Sequence, residues 1–500
     1  MVFIRHLGGN MSLIQIRNLT FSYQTSLEPL FNNVDLEIDS HWKLGFTSRN
    51  GRGKTTFFKL LINQLDYKGY IHSDVIFEIF PFDVKEPSLK TVSIIKGICP
   101  EIQDWQIERE CSLLELNESV LNQSFNSLSK GEQTKVLLVS LFLKDNHFLL
   151  IDEPTNHLDS EGRLILSKYL NSKSGFILIS HDRDFLDQCI DHILVINKNN
   201  IELQKGNFSS WWFNKGNQDK LEIEQNDRLK KNIIKLKQSA AQKADWSDRI
   251  EKTKVGKVDK GYIGHKAAKM MKRAKNIERR QNDMIEAKSQ LLKNIEVQEE
   301  LKLHHLEFHS KCLIHCHNLQ ISYGYRKLLA GLSFDVNRGD RIAIFGRNGS
   351  GKSSIIKLIM KEPIQHTGLL QVPESLIISY VSQNSDEVKG SLKNYAESYG
   401  IDVSLFFSIL RKMDFLREQL NEECSYFSAG QKRKVMIARS LCEKAHLYIW
   451  DEPLNYIDVF SRIQIENLLI SFKPTLIFVE HDSAFVHHVS NKVIKLLDES

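Results

Sequence analysis

The chain has 500 residues, 41% hydrophobic and 26% charged, with a formal net charge of +5. That length exceeds what one hydrophobic core organises, so two or more domains are expected, and the composition is that of an ordinary globular chain. No run approaches the ~18 consecutive apolar residues of a membrane-spanning helix, and seven scattered cysteines without a C-x-x-C pair suit reduced thiols in a cytosol rather than a disulfide framework.

Residues 1–10 (MVFIRHLGGN) precede Met11, which opens MSLIQI, and read as a leader or a misassigned start. LIQIRNLTFSY, from Leu13, reads as a first strand. The apolar KLGFT, the glycine-rich SRNGRGK and the apolar FFKLLINQL then read as strand, loop and helix. LSKGEQ follows, then the run FLLI ending in DEPTNHLD, then GFILIS ending at His181. After a long charged stretch the same blocks return in the same order. LIHCHNLQISY lies 300 residues after LIQIRNLTFSY, Lys352 lies 298 after Lys54, Ser428 299 after Ser129, Asp451 299 after Asp152, and His481 300 after His181. Five blocks at a nearly constant offset identify two copies of one domain, 11–210 and 311–500, with 211–310 between them.

The repeat also weighs against zinc. His304, His305, His309, Cys312, His315, Cys316 and His317 crowd together, yet Cys312, His315, Cys316 and His317 align with Ser12, Gln15, Ile16 and Arg17 of the first copy. No structural metal is expected.

In each glycine-rich loop the glycines let backbone N–H groups close around phosphate oxygens at a helix N-terminus. The first loop offers Ser48, Asn50, Gly51, Gly53, Lys54, Thr55 and Thr56; the second offers Gly346, Asn348, Gly349, Gly351, Lys352, Ser353 and Ser354. Lys54 and Lys352 are placed for β- and γ-phosphates, and the Thr55 and Ser353 hydroxyls for Mg2+. Asp152 and Asp451 end apolar strands, where an unpaired carboxylate is costly and a bound Mg2+ relieves the cost. Glu153 and Glu452 come next, able to orient or polarise an attacking water. His181 and His481 end further apolar strands. One such histidine alone would read as a core residue; two at equivalent positions read as function, in contact with a γ-phosphate. The pattern G-x-x-x-x-G-K-[ST] wants glycine where the first copy has Ser48. A left-handed backbone there would make its Cβ cost about 1–2 kcal/mol, whereas other backbone conformations hold serine with little strain.

Together these blocks resemble a tandem ATP-binding-cassette ATPase, with Walker A, signature, Walker B and switch histidine all matched. The resemblance implies an α/β fold with two P-loop cassette domains, ATP and Mg2+ as bound groups, and hydrolysis to ADP and phosphate. It makes LSKGEQ (Ser129, Gly131) and FSAGQK (Ser428, Gly430) the signature sequences, and Tyr23 and Tyr323 aromatic platforms for adenine. Gln383 in YVSQ matches the Q-loop glutamine, a further Mg2+ ligand, while FPFDV has Phe82 in its place. Cassettes of this family pair head to tail, so Lys54 would share a site with Ser428 and Lys352 with Ser129, within one monomer. Both departures, Ser48 and Phe82, fall on the Lys54 site, which is expected to work with altered turnover.

The segment between the copies decides what the ATP is used for. From Asp219 to about Leu303 it has no proline, and Leu229, Ile233, Leu236, Ala240 and Ala244 keep helical spacing. Ala267, Met270, Ala274, Ile277, Met284 and Leu291 form a second stripe, and Gly256, Gly261 and Gly264 interrupt the pattern between them. This reads as a long α-helical hairpin, its first helix about 33 residues and roughly 50 Å. Lys243–Arg280 holds 13 Lys+Arg against 5 Asp+Glu, a charge of +8, so the remaining residues sum to −3. Cations concentrated on one arm point to a phosphate backbone. Trp246, Lys254, Val255, Lys257, Val258, Lys260, Tyr262, Ile263, His265 and Lys266 are expected at or near its tip, against RNA or a drug site.

Tandem cassettes, no membrane span, a basic helical linker and DEPTNHLD resemble the ABC-F class of ribosome-binding ATPases. Within it, DKGYIGHKAAKMMKR and DEPLNYID look most like the Lsa/Vga-type antibiotic-resistance branch. That resemblance implies a cytoplasmic protein that binds the E site of the 70S ribosome with ATP, contacts 23S rRNA and shifts the P-site tRNA. Lincosamides, pleuromutilins and streptogramin A are then displaced from the peptidyl-transferase centre. Three alternatives stand beside it: an ABC-F translation factor without a drug role, the tandem motor of a membrane importer, and a chromosome-organising ATPase, which would need a far longer coiled coil.

Overall fold

The computed structural model describes residues 13–23, 29–156, 158–196, 201–252, 279, 301–303, 305–323, 326–347 and 349–496. Contacts divide the chain into two units, Met1–Ser209 with Glu299–Ser500, and Ser210–Gln298. The first unit holds both cassettes.

Each cassette is built on a parallel sheet whose central strands are near-continuous apolar runs, as burial on both faces requires. In the first the order is Ile76–Phe80, His147–Asp152, Phe176–Ile179, Lys43–Ser48, His192–Ile196 and Ile201–Lys205. Only the last strand runs antiparallel to its neighbour. In the second the order is Ile378–Val381, Leu447–Asp451, Leu476–Val479, Arg341–Phe345 and Lys492–Lys495, parallel throughout. Equivalent strands occupy equivalent places, so the sequence repeat is a repeat of topology. A three-stranded antiparallel sheet accompanies each: Phe31–Asp39, Leu13–Phe21 and Lys68–His72 in the first, Arg326–Asn337, Cys312–Tyr323 and His366–Gln371 in the second.

This topology gathers the chemistry at the carboxyl ends of the central strands, where open α/β sheets bind ligands. Asp152 pairs in register with Ile179, and the Glu153 amide donates to the Ile179 carbonyl at 2.9 Å, two residues before His181. Asp451 with Val479 and Glu452 with the same carbonyl, at 3.0 Å, repeat the arrangement before His481. The strand bearing the first loop passes close to its neighbour: a Cβ on Gly45 would lie 2.4 Å from Ile190 Cδ1.

The segment between the cassettes departs from expectation at its start. A single helix, Phe208–Lys252, runs for 45 residues, roughly 68 Å at 1.5 Å per residue, and begins well before Asp219. Phe208 and Trp211 are buried at its start, which outweighs the poor helix propensity of Ser209, Ser210, Asn214 and Gly216. The second helix of the expected hairpin and its turn lie outside the described residues. Leu301 and Leu303 pack in the core of the second cassette, so residues 299–310 belong with that unit. No helix among the described residues is long and apolar enough to cross a membrane, and all seven cysteines are free.

Candidate functional site

Both glycine-rich loops end in left-handed glycines. Gly51 and Gly53 have φ of 79° and 92°, Gly349 and Gly351 82° and 91°. Helices Lys54–Leu61 and Lys352–Ile359 follow directly, and neither has a side chain capping its N-terminal N–H groups. Such uncapped amides, with the helix dipole behind them, form an anion cradle. Lys54 Nζ donates to the Ser48 carbonyl at 3.0 Å; Lys352 Nζ donates to those of Gly346 and Arg347 at 2.7 and 2.8 Å.

Ser48 carries no left-handed strain. It is the last residue of its strand, fully buried, and its hydroxyl donates to the Arg49 carbonyl at 3.0 Å. A Cβ on Gly346, by contrast, would meet Ser350 Oγ at 2.7 Å and Leu496 Cβ at 3.1 Å. The first copy has Arg52 where the second has Ser350.

A cavity of about 860 Å³ lies between the cassettes. Gly349, Gly351, Lys352, Ser353, Ser354, Gln383, Glu452 and His481 line it from the second; Ser129, Gly131, Glu132 and Asn156 line it from the first. The geometry therefore brings the Lys352 loop and the LSKGEQ helix to one space. Ser129 caps that helix, Lys130–Phe142, its amide and hydroxyl both donating to Glu132 Oε2 at 2.8 and 2.7 Å. Ser428 and Gln431 form the same capping box on Ala429–Cys442.

The pseudo-equivalent junction forms at the Lys54 loop. Asn50 Nδ2 donates to the Tyr456 carbonyl at 3.1 Å, and a Cβ on Gly430 would stand 3.0 Å from Asn50 Nδ2 and 2.4 Å from that carbonyl. Arg49 lies 5.8 Å from the Phe460 ring centre and pairs with Asp414, while Arg347 pairs with Glu161 at 2.7 Å. Phe460 and Glu161 are the same position in the two copies, 299 apart. Burial pushes the Lys54 ammonium down, opposed by Asp458 of the other cassette and by Glu153 and Asp152. Tyr23 stands exposed beside this loop, its hydroxyl 2.7 Å from that of Thr56.

The acidic groups differ between copies. Burial raises the Asp152 carboxyl despite Lys54 and Thr55, whose hydroxyl lies 3.4 Å from Asp152 Oδ2. Burial and then Glu452 push Asp451 up to about 6, against a hydrogen bond from Ser353. Asp451 Oδ1 is buried without a hydrogen-bond partner. A buried, unsatisfied carboxylate oxygen beside a hydroxyl is a hard oxygen set, and these residues fit Mg2+. Burial, then Asp152, drives Glu153 up to about 8; its Oε1 has no hydrogen bond, with His181 Nε2 3.4 Å away. Burial pushes Glu452 the same way, but donors outweigh it and bring the carboxyl down to about 2. Gln383 Nε2 and Asn455 Nδ2 both donate to Glu452 Oε2, at 2.9 and 2.8 Å, and His481 Nε2 lies 3.8 Å from Oε1. Phe82, half-buried, offers Glu153 no such amide.

Asn455 was not singled out from sequence, nor were Asp159 and Asp458, which cap the next helices, or Arg163 and Arg462, which pair with Asp182 and Asp482 at 2.8 and 3.0 Å. The signal was present: the asparagine and last aspartate of DEPTNHLD and DEPLNYID repeat at the 299-residue offset. Asn348 lies outside the described residues, as do Lys254, Val255, Lys257, Val258, Lys260, Tyr262, Ile263, His265 and Lys266. Tyr323 ends the strand Cys312–Tyr323, and Trp246 lies on the helix Phe208–Lys252. Around the histidine-rich segment, Cys316 is buried and His315 pairs with Asp335; no group of three or more metal-binding side chains forms among the described residues.

A search of solved structures finds the same fold in the crystal structure of the archaeal ribosome recycling factor aABCE1 with the stalk protein aP1. The TM-score is 0.63 at 19% identity, covering 96% of this chain and 87% of that one. Among curated proteins, the ribosome protection protein VmlR of Bacillus subtilis (strain 168) is 26% identical over 94% of this chain and 84% of its own length. The ATP-binding protein Uup of Buchnera aphidicola is 25% identical over 96% and 80%. The ABC transporter family model matches residues 31–156 and 329–455, half of the chain and each cassette in turn. The chain therefore belongs to the ABC transporter family, as an ABC-type ATPase with two cassettes in one polypeptide.

Proposed function

We propose that this ATPase is a cytoplasmic, ribosome-associated member of the ABC-F class that hydrolyses ATP at two composite sites. The cavity shared by the Lys352 loop and the Ser129 helix carries the reading, because neither cassette alone encloses it. At each site the glycine loop and lysine bind the β- and γ-phosphates. Thr55 with Asp152, and Ser353, Gln383 and Asp451, would hold Mg2+, which neutralises phosphate charge when bound. Glu153 and Glu452 orient the attacking water, with His181 and His481 beside them. Ser428 and Gly430 close the Lys54 site, Ser129 and Gly131 the Lys352 site.

The ribosome as partner is supported by the likeness to a ribosome protection protein along nearly the whole chain, and by the 45-residue helix that opens the basic linker. The finer reading is of the Lsa/Vga type. The ATP-bound protein occupies the E site of the 70S ribosome, the linker reaches past the P-site tRNA along 23S rRNA, and peptidyl-transferase-centre antibiotics are displaced. Ribosome co-sedimentation of the Glu153→Gln, Glu452→Gln protein tests it. Comigration with 70S particles only with ATP is expected. Absent comigration with intact ATP binding would return the chain to the importer-motor reading.

A further inference from the structure

Gln383 reaches Glu452 because its own backbone is held. The Arg433 guanidinium, 3% exposed, donates through Nη1 to the Ser382 carbonyl and through Nη2 to the Gln383 carbonyl. Arg433 lies on the helix Ala429–Cys442, one turn beyond Gly430, which abuts Asn50 in the Lys54 loop of the other cassette. Contacts thus run in series: Lys54 loop to helix, helix to Arg433, Arg433 to the 382–383 backbone, and the Gln383 amide to Glu452 at 2.9 Å. The first cassette lacks this route, with Thr134 in place of Arg433 and Phe82 in place of Gln383. A threonine hydroxyl cannot span two carbonyls.

We propose that Arg433 is a positioning residue through which the Lys54 loop controls turnover at Glu452, with no mirrored control of Glu153 by the Lys352 loop. The planar guanidinium holds two carbonyls on two separate nitrogens in one fixed plane, a geometry that the single nitrogen of an ammonium does not reproduce. Burial also binds Arg433 to its place: the nearby carboxylates of Glu480, Glu452 and Asp451 balance its charge. A shift of the helix must then carry the 382–383 backbone with it or leave a buried charge unpaired.

This inference rests on the reading of Glu452 as the acting carboxylate. The test uses the full chain in a Glu153→Gln background, where remaining hydrolysis reports Glu452, and compares Lys54 with Lys54→Ala. With Arg433 present, losing Lys54 is expected to lower turnover about fivefold or more, within the usual range of coupling between sites. In Arg433→Gln that ratio falls to near one, and likewise in Arg433→Lys, which carries the test should the glutamine variant unfold. In the mirrored experiment, Glu452→Gln with and without Lys352→Ala, the ratio is near one and stays there when Thr134 is replaced by alanine; a mirrored ratio as large as the first also overturns the proposal. A ratio that survives both Arg433 variants, or one already near one with Arg433 intact, overturns the proposal. Residual hydrolysis in the Glu153→Gln, Glu452→Gln protein would instead refute the assignment of the carboxylates.

Discussion

Serine at position 48 and glycine at 346 are equivalent in sequence but not exchangeable in structure. Gly346→Ser places a Cβ 2.7 Å from Ser350 Oγ, 3.1 Å from Leu496 Cβ and 3.2 Å from the Leu496 carbonyl. The Ser350 hydroxyl has no hydrogen bond and can turn away, but the Leu496 backbone must yield by a few tenths of an ångström. Overpacking of this kind costs about 1–3 kcal/mol, and it falls on the loop that carries Lys352. Converted at 1.4 kcal/mol per tenfold, ATP affinity at that site drops about 5- to 150-fold. Titration with ATP in a Lys54→Ala background isolates the Lys352 site. Adding Ser350→Ala removes the nearest contact and should restore part of the loss, the remainder staying with Leu496. Ser48→Gly meets no such contact and costs at most the ~0.5–1 kcal/mol of added backbone freedom, a few-fold in affinity. Unchanged affinity in Gly346→Ser, or no recovery with Ser350→Ala, would refute the steric argument.

Lys434→Met strands the fully buried Asp458 carboxylate, now paired to that ammonium at 2.9 Å. Breaking a buried pair costs about 3–5 kcal/mol, so the variant should melt well below the parent, and an unchanged melt would count against the pair. Burial raises Asp458, but Lys434 and the Ser461 amide overcome it and hold the carboxyl well below the usual range. Its stabilisation is therefore full above the unfolded value near pH ~4 and is lost as pH falls through the lower folded value. An acid-unfolding limb in Asp458→Asn as steep as the parent's would contradict this. Deleting residues 255–264 should abolish antibiotic protection in cells while leaving ATPase activity within about twofold; retained protection would dismiss the linker tip as effector, and no protection even by the intact chain would leave a translation factor without a drug role. Phe82→Gln supplies the amide that Glu153 lacks. An amide donor favours the ionised form of Glu153, whose carboxyl burial drives up to about 8. A hydrogen bond to a charged group is worth about 1.5–3 kcal/mol, so with Thr134→Arg added to hold that amide, turnover in a Glu452→Gln background should rise at least severalfold, and no rise would show that Glu153 needs no such donor.

Local signals were legible because each is short and self-contained. KLGFT and FLLID are buried strands because their residues are apolar on both faces. The strain question at Ser48 was framed by sequence, but its answer needed Arg52, Ser350 and Leu496 in space. The linker helix began earlier than its periodicity because burial of Phe208 and Trp211 overrode weak propensity. Arg433 was missed for a different reason: it stands where the copies differ, and a guanidinium acting on carbonyls reached only through folding leaves no spacing pattern to read.

Phe82 and Thr134 are best understood together. In the second cassette Arg433 exists in contact with Gln383, whose carbonyl and that of Ser382 absorb its two donors while nearby carboxylates balance its charge. With phenylalanine at position 82, an arginine at 134 would have no amide-bearing side chain to orient toward Glu153. A buried guanidinium without a task is a cost, because its desolvation must be repaid by neighbours. Thr134 buries no charge and satisfies the same helix. The two positions thus act together: the first cassette lacks both the donor to its carboxylate and the residue that positions that donor. Ser48 belongs to the same site by way of its own loop, and its serine is accommodated without strain rather than tolerated. Three departures scattered over 87 residues of sequence converge on one of two sites, and the other keeps every group they replace. Local departures gathered at one functional site point to a changed task rather than to loss of the fold.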